Sequence, residues 1–365
     1  MTYFSDCYSL ADYAPMWVMV AIILSAAASF YAYPIIIYVS HRKGLMDEPN
    51  MRSVHENKVP TLGGVGIFFG VTLVLTFLGS GLASGAIAYL LGALILLFFM
   101  GMKDDLVMLT PKKKFLGQII AALCVILLSD VRIIGFSGLF SVDVLPYVLS
   151  VVFTLFVFVL LINAFNLIDG VDGLAGSVGL LASLFFGVYF YQIKAESMLL
   201  ISFALVGALC PFLFFNFSNK RKIFMGDTGS MIVGFLLAYQ GVNFIALNQS
   251  EAFEYQVANS PVIVMAVFAF PLLDTLRVFI VRMLQKQSPF EADQNHIHHR
   301  LLVLGLKHWQ ITMTVSIFCV FMMVLACLLS SLSIYYHFVI VLVIGVVIAL
   351  LPFCIHSKKS KEKTL

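Results

Sequence analysis

Residues 147–173 read YVLSVVFTLFVFVLLINAFNLIDGVDG. Tyr147 through Ile168 carry no charged side chain. A helix needs about 20 apolar residues to cross the hydrocarbon layer, so this run is long enough to span. Its end carries Asn163, Asn166, Asp169 and Asp172. Acids this close to hydrocarbon are costly, and membrane proteins keep them where they have a task.

The same apolar pattern recurs on both sides of this stretch. Runs lie near 16–40, 61–79, 84–101, 115–130, 146–165, 173–192, 197–216, 228–247, 260–283, 309–331 and 336–355. The sequence therefore predicts an all-α polytopic membrane protein with about eleven transmembrane helices. Composition agrees: 61% of the 365 residues are hydrophobic and 11% charged. Soluble domains carry about 25% charged residues, which excludes water as the main solvent. The six cysteines show no metal-ligand or redox spacing and read as small apolar side chains.

Lysine and arginine set the orientation. Arg42, Lys43, Arg52, Lys58, Lys103, Lys112, Lys113, Lys114, Lys220, Arg221, Lys222, Lys286, Arg300 and Lys307 alternate with connections that hold only Arg132 and Lys194. The amino terminus is expected outside and the carboxyl terminus, with its basic tail 356–365, in the cytosol. Every His-rich or paired-carboxylate motif falls on the inner side.

Asp104-Asp105 ends the third run. Paired carboxylates repel unless a cation sits nearby, so this is a candidate cation or general-base site. Asn166, Asp169 and Asp172 recur at steps of three and share a face if the backbone stays helical. Three oxygen-bearing side chains in seven residues suit a hard cation such as Mg²⁺. Gly226-Asp227-Thr-Gly229 opens the eighth run. Asp227 reads either as an N-cap or as a metal ligand, and Phe224 as an interfacial anchor or a stacking surface. His296-Ile-His298-His299-Arg300 is read as a cationic cluster for phosphate oxygens, with Lys286 nearby. No further ligand with zinc spacing is visible in the sequence. Asp274 and Arg277 read as an ion pair within one helix.

At these residues the chain resembles the polyprenyl-phosphate N-acetylhexosamine-1-phosphate transferases, in the WecA/TagO-like branch related to MraY, within glycosyltransferase family 4. The matching pieces are Asp47-Glu-Pro49 with Arg52, His55 and Pro60 through Gly64; Asp104-Asp105 with Lys114; Asn163 through Gly173; Phe224 through Ser230; and His296 through Arg300. They span about residues 45–305 in the family's order. The His-x-His-His-Arg form departs from a triple histidine and disfavours a muramyl-pentapeptide substrate.

The resemblance implies one transmembrane transferase domain over 1–365. It would move a sugar-1-phosphate, N-acetylglucosamine-1-phosphate first among candidates, from a UDP-sugar to undecaprenyl phosphate, releasing UMP. It implies Asn166 and Asp227 as Mg²⁺ ligands, with Mn²⁺ as a substitute. Asp104 would be the candidate base, supported by Asp105. Asp169, counted with Asp104 and Asp105 among the catalytic acids, would line the nucleotide pocket with Asp172, and Phe224 would stack on uracil. Lys114 and Asn216 would hold the nucleotide, and His296, His298, His299 and Arg300 would contact phosphates or the lipid. The expected partners are UDP-N-acetylhexosamine, undecaprenyl phosphate, the bilayer and, as an option, a second copy; no nucleic acid is expected. The expected location is the bacterial inner membrane with a cytosolic active face. The alternatives are another UDP-N-acetyl sugar, or an ion-coupled transporter. Transporter sites lie near the midplane in repeated halves, whereas these acids gather at one boundary and no internal repeat is visible.

Overall fold

The computed structural model describes residues 14–46, 59–79, 85–249, 256–286 and 296–355. Asp47, Glu48, Pro49, Arg52 and His55 lie outside these residues, as does the basic tail. Among the described residues there are thirteen α-helices and no β-strand. They are α1 (Ala14–Lys43), α2 (Gly63–Phe77), α3 (Ala86–Val107), α4 (Pro111–Leu128), α5 (Tyr147–Ile168), α6 (Leu174–Gln192) and α7 (Glu196–Asn216). They continue with α8 (Gly226–Asn248), α9 (Ser260–Val267), α10 (Ala269–Leu284), α11 (Ile297–Val303), α12 (His308–Leu328) and α13 (Ile334–Cys354).

Every apolar run read from the sequence falls on a helix. Eight helices are long and apolar enough to cross a membrane: α1, α3, α5, α6, α7, α8, α12 and α13. The pair α9 and α10 forms a ninth path, bent by 76°. Pro271 gives the bend a cause. It lacks the N–H that would bond the Val267 carbonyl, and its ring crowds that carbonyl. Two expected spans are less plain. The helix α2 has only 15 residues, and α4 opens with Lys112, Lys113 and Lys114. Large side chains such as Ile23, Phe99, Phe156 and Val343 face outward, as a bilayer-solvated surface requires. The chain is a multi-pass membrane protein.

At the centre of the bundle, α7 and α8 are buried on nearly all sides, which is the mark of an interior helix. Phe158 packs on Phe235, and Phe186 on Phe244 and Phe268. The buried Gln240 carbonyl oxygen accepts from Ser183 and Ser202 across helices, the kind of polar contact that joins membrane helices.

Two helices meet α8 backbone to backbone. A Cβ on Gly64 would stand 2.2 Å from the Gly229 nitrogen, and one on Gly101 2.5 Å from the Thr228 Cα. Only glycine allows such an approach. The connection before α2 is stitched to the one before α8. Phe224 N–H donates to Pro60 O at 2.8 Å, Gly63 N–H to Phe224 O at 2.9 Å and Gly64 N–H to Met225 O at 2.9 Å. These contacts place the first turn of α8 beside the end of α3, where the paired acids sit.

Candidate active site

Four helix ends converge here. The Lys114 ammonium, from the first turn of α4, lies 2.7 Å from Asp227 Oδ1 and 2.9 Å from Asp104 Oδ2. Asn166, at the end of α5, donates its amide to the same Asp227 oxygen and to Ser230 Oγ at 2.8 Å. Asp104 is buried, and its other oxygen accepts the Leu109 N–H at 2.6 Å. The lysine thus offsets two carboxylates that would otherwise repel in a poorly solvated setting.

Asp105 does something different from its neighbour. Its oxygens accept the backbone N–H groups of Asp227 at 2.7 Å and Thr228 at 3.0 Å, and the Thr228 hydroxyl. The first N–H groups of a helix have no partner within it. Asp105 supplies one from another helix, at the positive end of the α8 dipole. The N-cap reading of Asp227 is corrected accordingly. The capping position is Met225, without a side-chain bond, and Asp227 sits inside the first turn with its carboxylate turned to Lys114 and Asn166.

The helical-face reading of Asn166, Asp169 and Asp172 is corrected too. The helix α5 ends at Ile168, and residues 169–173 form a turn that closes at Gly173 with φ +75°. Asp169 leaves the helix axis and lies against the Gly226 N–H. Burial pushes its carboxyl well above the usual range, reinforced by Asp227, Asp105 and Asp172, with the Gly226 N–H opposing. Asp172 behaves oppositely. Burial opposes its ionisation, but His308 and Lys222 outweigh burial and hold its carboxyl below the usual range. Lys222 Nζ lies 2.6 Å and His308 Nδ1 3.1 Å from Asp172 Oδ2.

Asn216 is a clip between two loops. Its oxygen accepts the Gly173 N–H and its amide donates to Ile223 O at 2.7 Å. The Lys222 ammonium lies 5.4 Å from the centroid of the Phe224 ring, a cation–π arrangement on one face.

The histidine segment begins α11. The Asp274–Arg277 pair is not the main engagement of Asp274. One of its oxygens lies 2.8 Å from His296 Nδ1, and the other accepts the Ile297 N–H at 2.6 Å. Arg277 instead stacks over Phe353 at 3.5 Å. His298 Nδ1 lies 3.9 Å from Asp274, and all three side chains are buried. Asp274, His296 and His298 thus bring three metal-type ligand atoms together. Two ligands of a tetrahedral zinc stand about 3.3 Å apart, given bonds of about 2.0–2.1 Å. The 2.8 Å contact is closer than that and is a hydrogen bond, so the cluster reads as an Asp–His dyad. Burial, with His299, His296 and His308 nearby, pushes His298 down to about 3 despite Asp274. Arg300 is turned away from the acids. It donates to Pro352 O at 3.1 Å and Ile355 O at 2.8 Å, satisfying carbonyls left open at the end of α13. The expected cationic cluster is therefore largely spent on internal contacts, although His298 packs over Gly170 of the 169–173 turn.

Lys222, His308, Thr228 and Ser230 belong to the site without having been singled out for it. Lys222 read as a topology signal and His308 lies in no motif; only proximity in space distinguishes them. The Asn166 amide turns its nitrogen, not its oxygen, to Asp227, while the carboxylate oxygens of Asp227 and Asp104 are of a type that suits a divalent cation. Hard cations select such oxygens.

A membrane-embedded transferase is the class that this bundle and its comparisons define. The description "Glycosyl transferase family 4" matches residues 87–245. The chain is 30% identical over 331 residues to the "Probable undecaprenyl-phosphate N-acetylglucosaminyl 1-phosphate transferase" of Bacillus subtilis, covering 90% of this chain and 89% of that protein. It is 31% identical to the "Decaprenyl-phosphate N-acetylglucosaminephosphotransferase" of Mycobacterium tuberculosis, covering 80% and 77%. The "Undecaprenyl-phosphate alpha-N-acetylglucosaminyl 1-phosphate transferase" of Escherichia coli K12 is 27% identical, covering 82% and 80%. The chain belongs to glycosyl transferase family 4 and is an enzyme of that type.

Proposed function

We propose that this enzyme transfers N-acetylglucosamine-1-phosphate from UDP-N-acetylglucosamine to undecaprenyl phosphate at the cytosolic face of the bacterial inner membrane. The relatives' names support the substrate pair. The observation that carries the reading is the Lys114 ammonium held between Asp104 and Asp227 at one helix-end boundary. The basic connections on that side support a cytosolic face, eleven spans and an external amino terminus.

In this reading an oxygen of the lipid phosphate attacks the sugar-bearing phosphorus of the donor. The bond from that phosphorus to the bridging oxygen breaks, and UMP leaves with the electron pair. Such a displacement needs placement and charge offset more than covalent help. Asp104 accepts the proton that the lipid phosphate carries as a monoanion. Lys114 faces both reactants' phosphates. Asp105 fixes the first turn of α8 and with it Asp227. Asn166 and Asp227 would hold Mg²⁺, which would supply charge neutralisation on the diphosphate when bound. Asp169, Asp172, Asn216 and Phe224 form the nucleotide side, with uracil against the Phe224 ring. His299 and the His298 edge border this side.

The test uses membranes, Mg²⁺, undecaprenyl phosphate and a panel of radiolabelled UDP-sugars, followed by lipid extraction. Label from UDP-N-acetylglucosamine in the lipid phase, with equimolar UMP, is expected. Label from another UDP-N-acetyl sugar alone reassigns the donor, and no lipid label from any donor overturns the reading.

A further inference from the structure

We infer that His308, with Thr312, is a positioning residue for Asp172 and thereby sets affinity for the UDP-sugar; this deepens the reading above and rests on it. His308 opens α12 and lies outside every sequence motif. Its Nδ1 stands 3.1 Å from Asp172 Oδ2, and the Asp172 N–H points at the same nitrogen at 3.3 Å. Thr312, one turn further along α12, donates its hydroxyl to Asp172 O at 2.7 Å. With Nδ1 donating to the carboxylate, and so unable to accept the N–H as well, one face of α12 grips the carboxylate and carbonyl of a single residue.

The grip has a physical purpose. Residues 169–173 have left α5 and have not yet entered α6, so helical hydrogen bonds do not fix them. Buried backbone groups in such a turn need partners from elsewhere. Asn216 holds the Gly173 end, while α12 holds the Asp172 end. Lys222 meets the same carboxylate oxygen at 2.6 Å, and its ammonium also faces Phe224. His308 thus fixes the orientation of Asp172, through Asp172 the position of Lys222, and through Lys222 one face of the ring assigned to uracil. The acid cluster around Asp104 and Asp227 is reached by none of these bonds.

A split in the kinetics is the expected signature. His308→Ala should raise KM for UDP-N-acetylglucosamine about tenfold, the equivalent of one charge-assisted hydrogen bond. The KM for undecaprenyl phosphate should stay within about twofold. His308→Asn, whose amide reaches the Nδ1 position, should recover most of the affinity, and Thr312→Val should show the same split more weakly. Equal rises in both KM values, an unchanged donor KM, or an Asn variant as poor as Ala would overturn the inference. If His308→Ala does not fold, His308→Asn and Thr312→Val decide the matter by UMP protection against thermal unfolding. Reduced protection in Thr312→Val with near-normal protection in His308→Asn supports the inference, and unreduced protection in Thr312→Val overturns it. A wild-type protein that makes no labelled lipid sinks the transferase reading itself, which is a separate outcome.

Discussion

Asp105 and Asp227 are 122 residues apart, yet Asp105 accepts the Asp227 backbone N–H at 2.7 Å. The adjacent Asp104 turns instead to Lys114. Two neighbouring carboxylates thus face different partners, and their variants should part company. Asp105→Ala leaves buried N–H groups of α8 without an acceptor, a cost of about 1–3 kcal/mol for such a group. Its melting temperature in detergent should fall, and transfer should fall with it. Asp104→Ala and Asp227→Ala should abolish transfer while the protein still inserts and folds. Near-normal transfer by either purified variant refutes its assigned role.

Metal removal gives a readout that does not pass through catalysis. Mg²⁺ should raise the melting temperature of chelator-treated wild-type protein, because a ligand that binds only the folded state stabilises it. Asp227→Ala should lose that increment. An identical Mg²⁺ response in both proteins would argue that the cation binds elsewhere.

Acid sensitivity should trace partly to His298. Its ring is buried neutral, with a pKa of about 3 against 6.5 for the free side chain. As pH falls below 6.5, the unfolded chain takes up a proton that the folded chain refuses, so stability drops. Between pH 7 and pH 5 the contribution lost is about 2 kcal/mol at most. His298→Gln, which does not titrate, should flatten that part of the stability–pH curve measured by thermal unfolding. A parallel curve, merely displaced, would assign the sensitivity to other groups.

The inner-face arrangement is open to labelling. In a background without native cysteines, single cysteines at Lys112, Asn219 and Gly305 should react only with reagents that reach the cytosol. Cysteines at Ser137 and Lys194 should react from outside. A map that separates the Lys112 and Asn219 connections across the bilayer would dismantle the proposed site.

The helices themselves were legible, because hydrocarbon thickness imposes a length that apolar runs display openly. Span number was less so. A 15-residue α2 and the basic start of α4 carry weaker signals, and the α9–α10 bend depends on Pro271 rather than on hydropathy. Of the site, residue types and their segments were legible, but pairings were not. Asp274 reads as a partner of Arg277, three residues on along one helix, when its engagement lies with His296 across a connection. The step-of-three spacing of Asn166, Asp169 and Asp172 presumes a helix that stops at Ile168. His308 carries no local pattern, since its role arises only where α12 folds back on the 169–173 turn.

The bare backbones at Gly64 and Gly101 make the first turn of α8 a keystone wedged between two neighbours with no clearance. Even a methyl group at either place would act as a spacer, prising the Asp104 side of the centre from the Asp227 side. How small an intrusion the enzyme survives there would measure the mechanical tolerance of its chemistry.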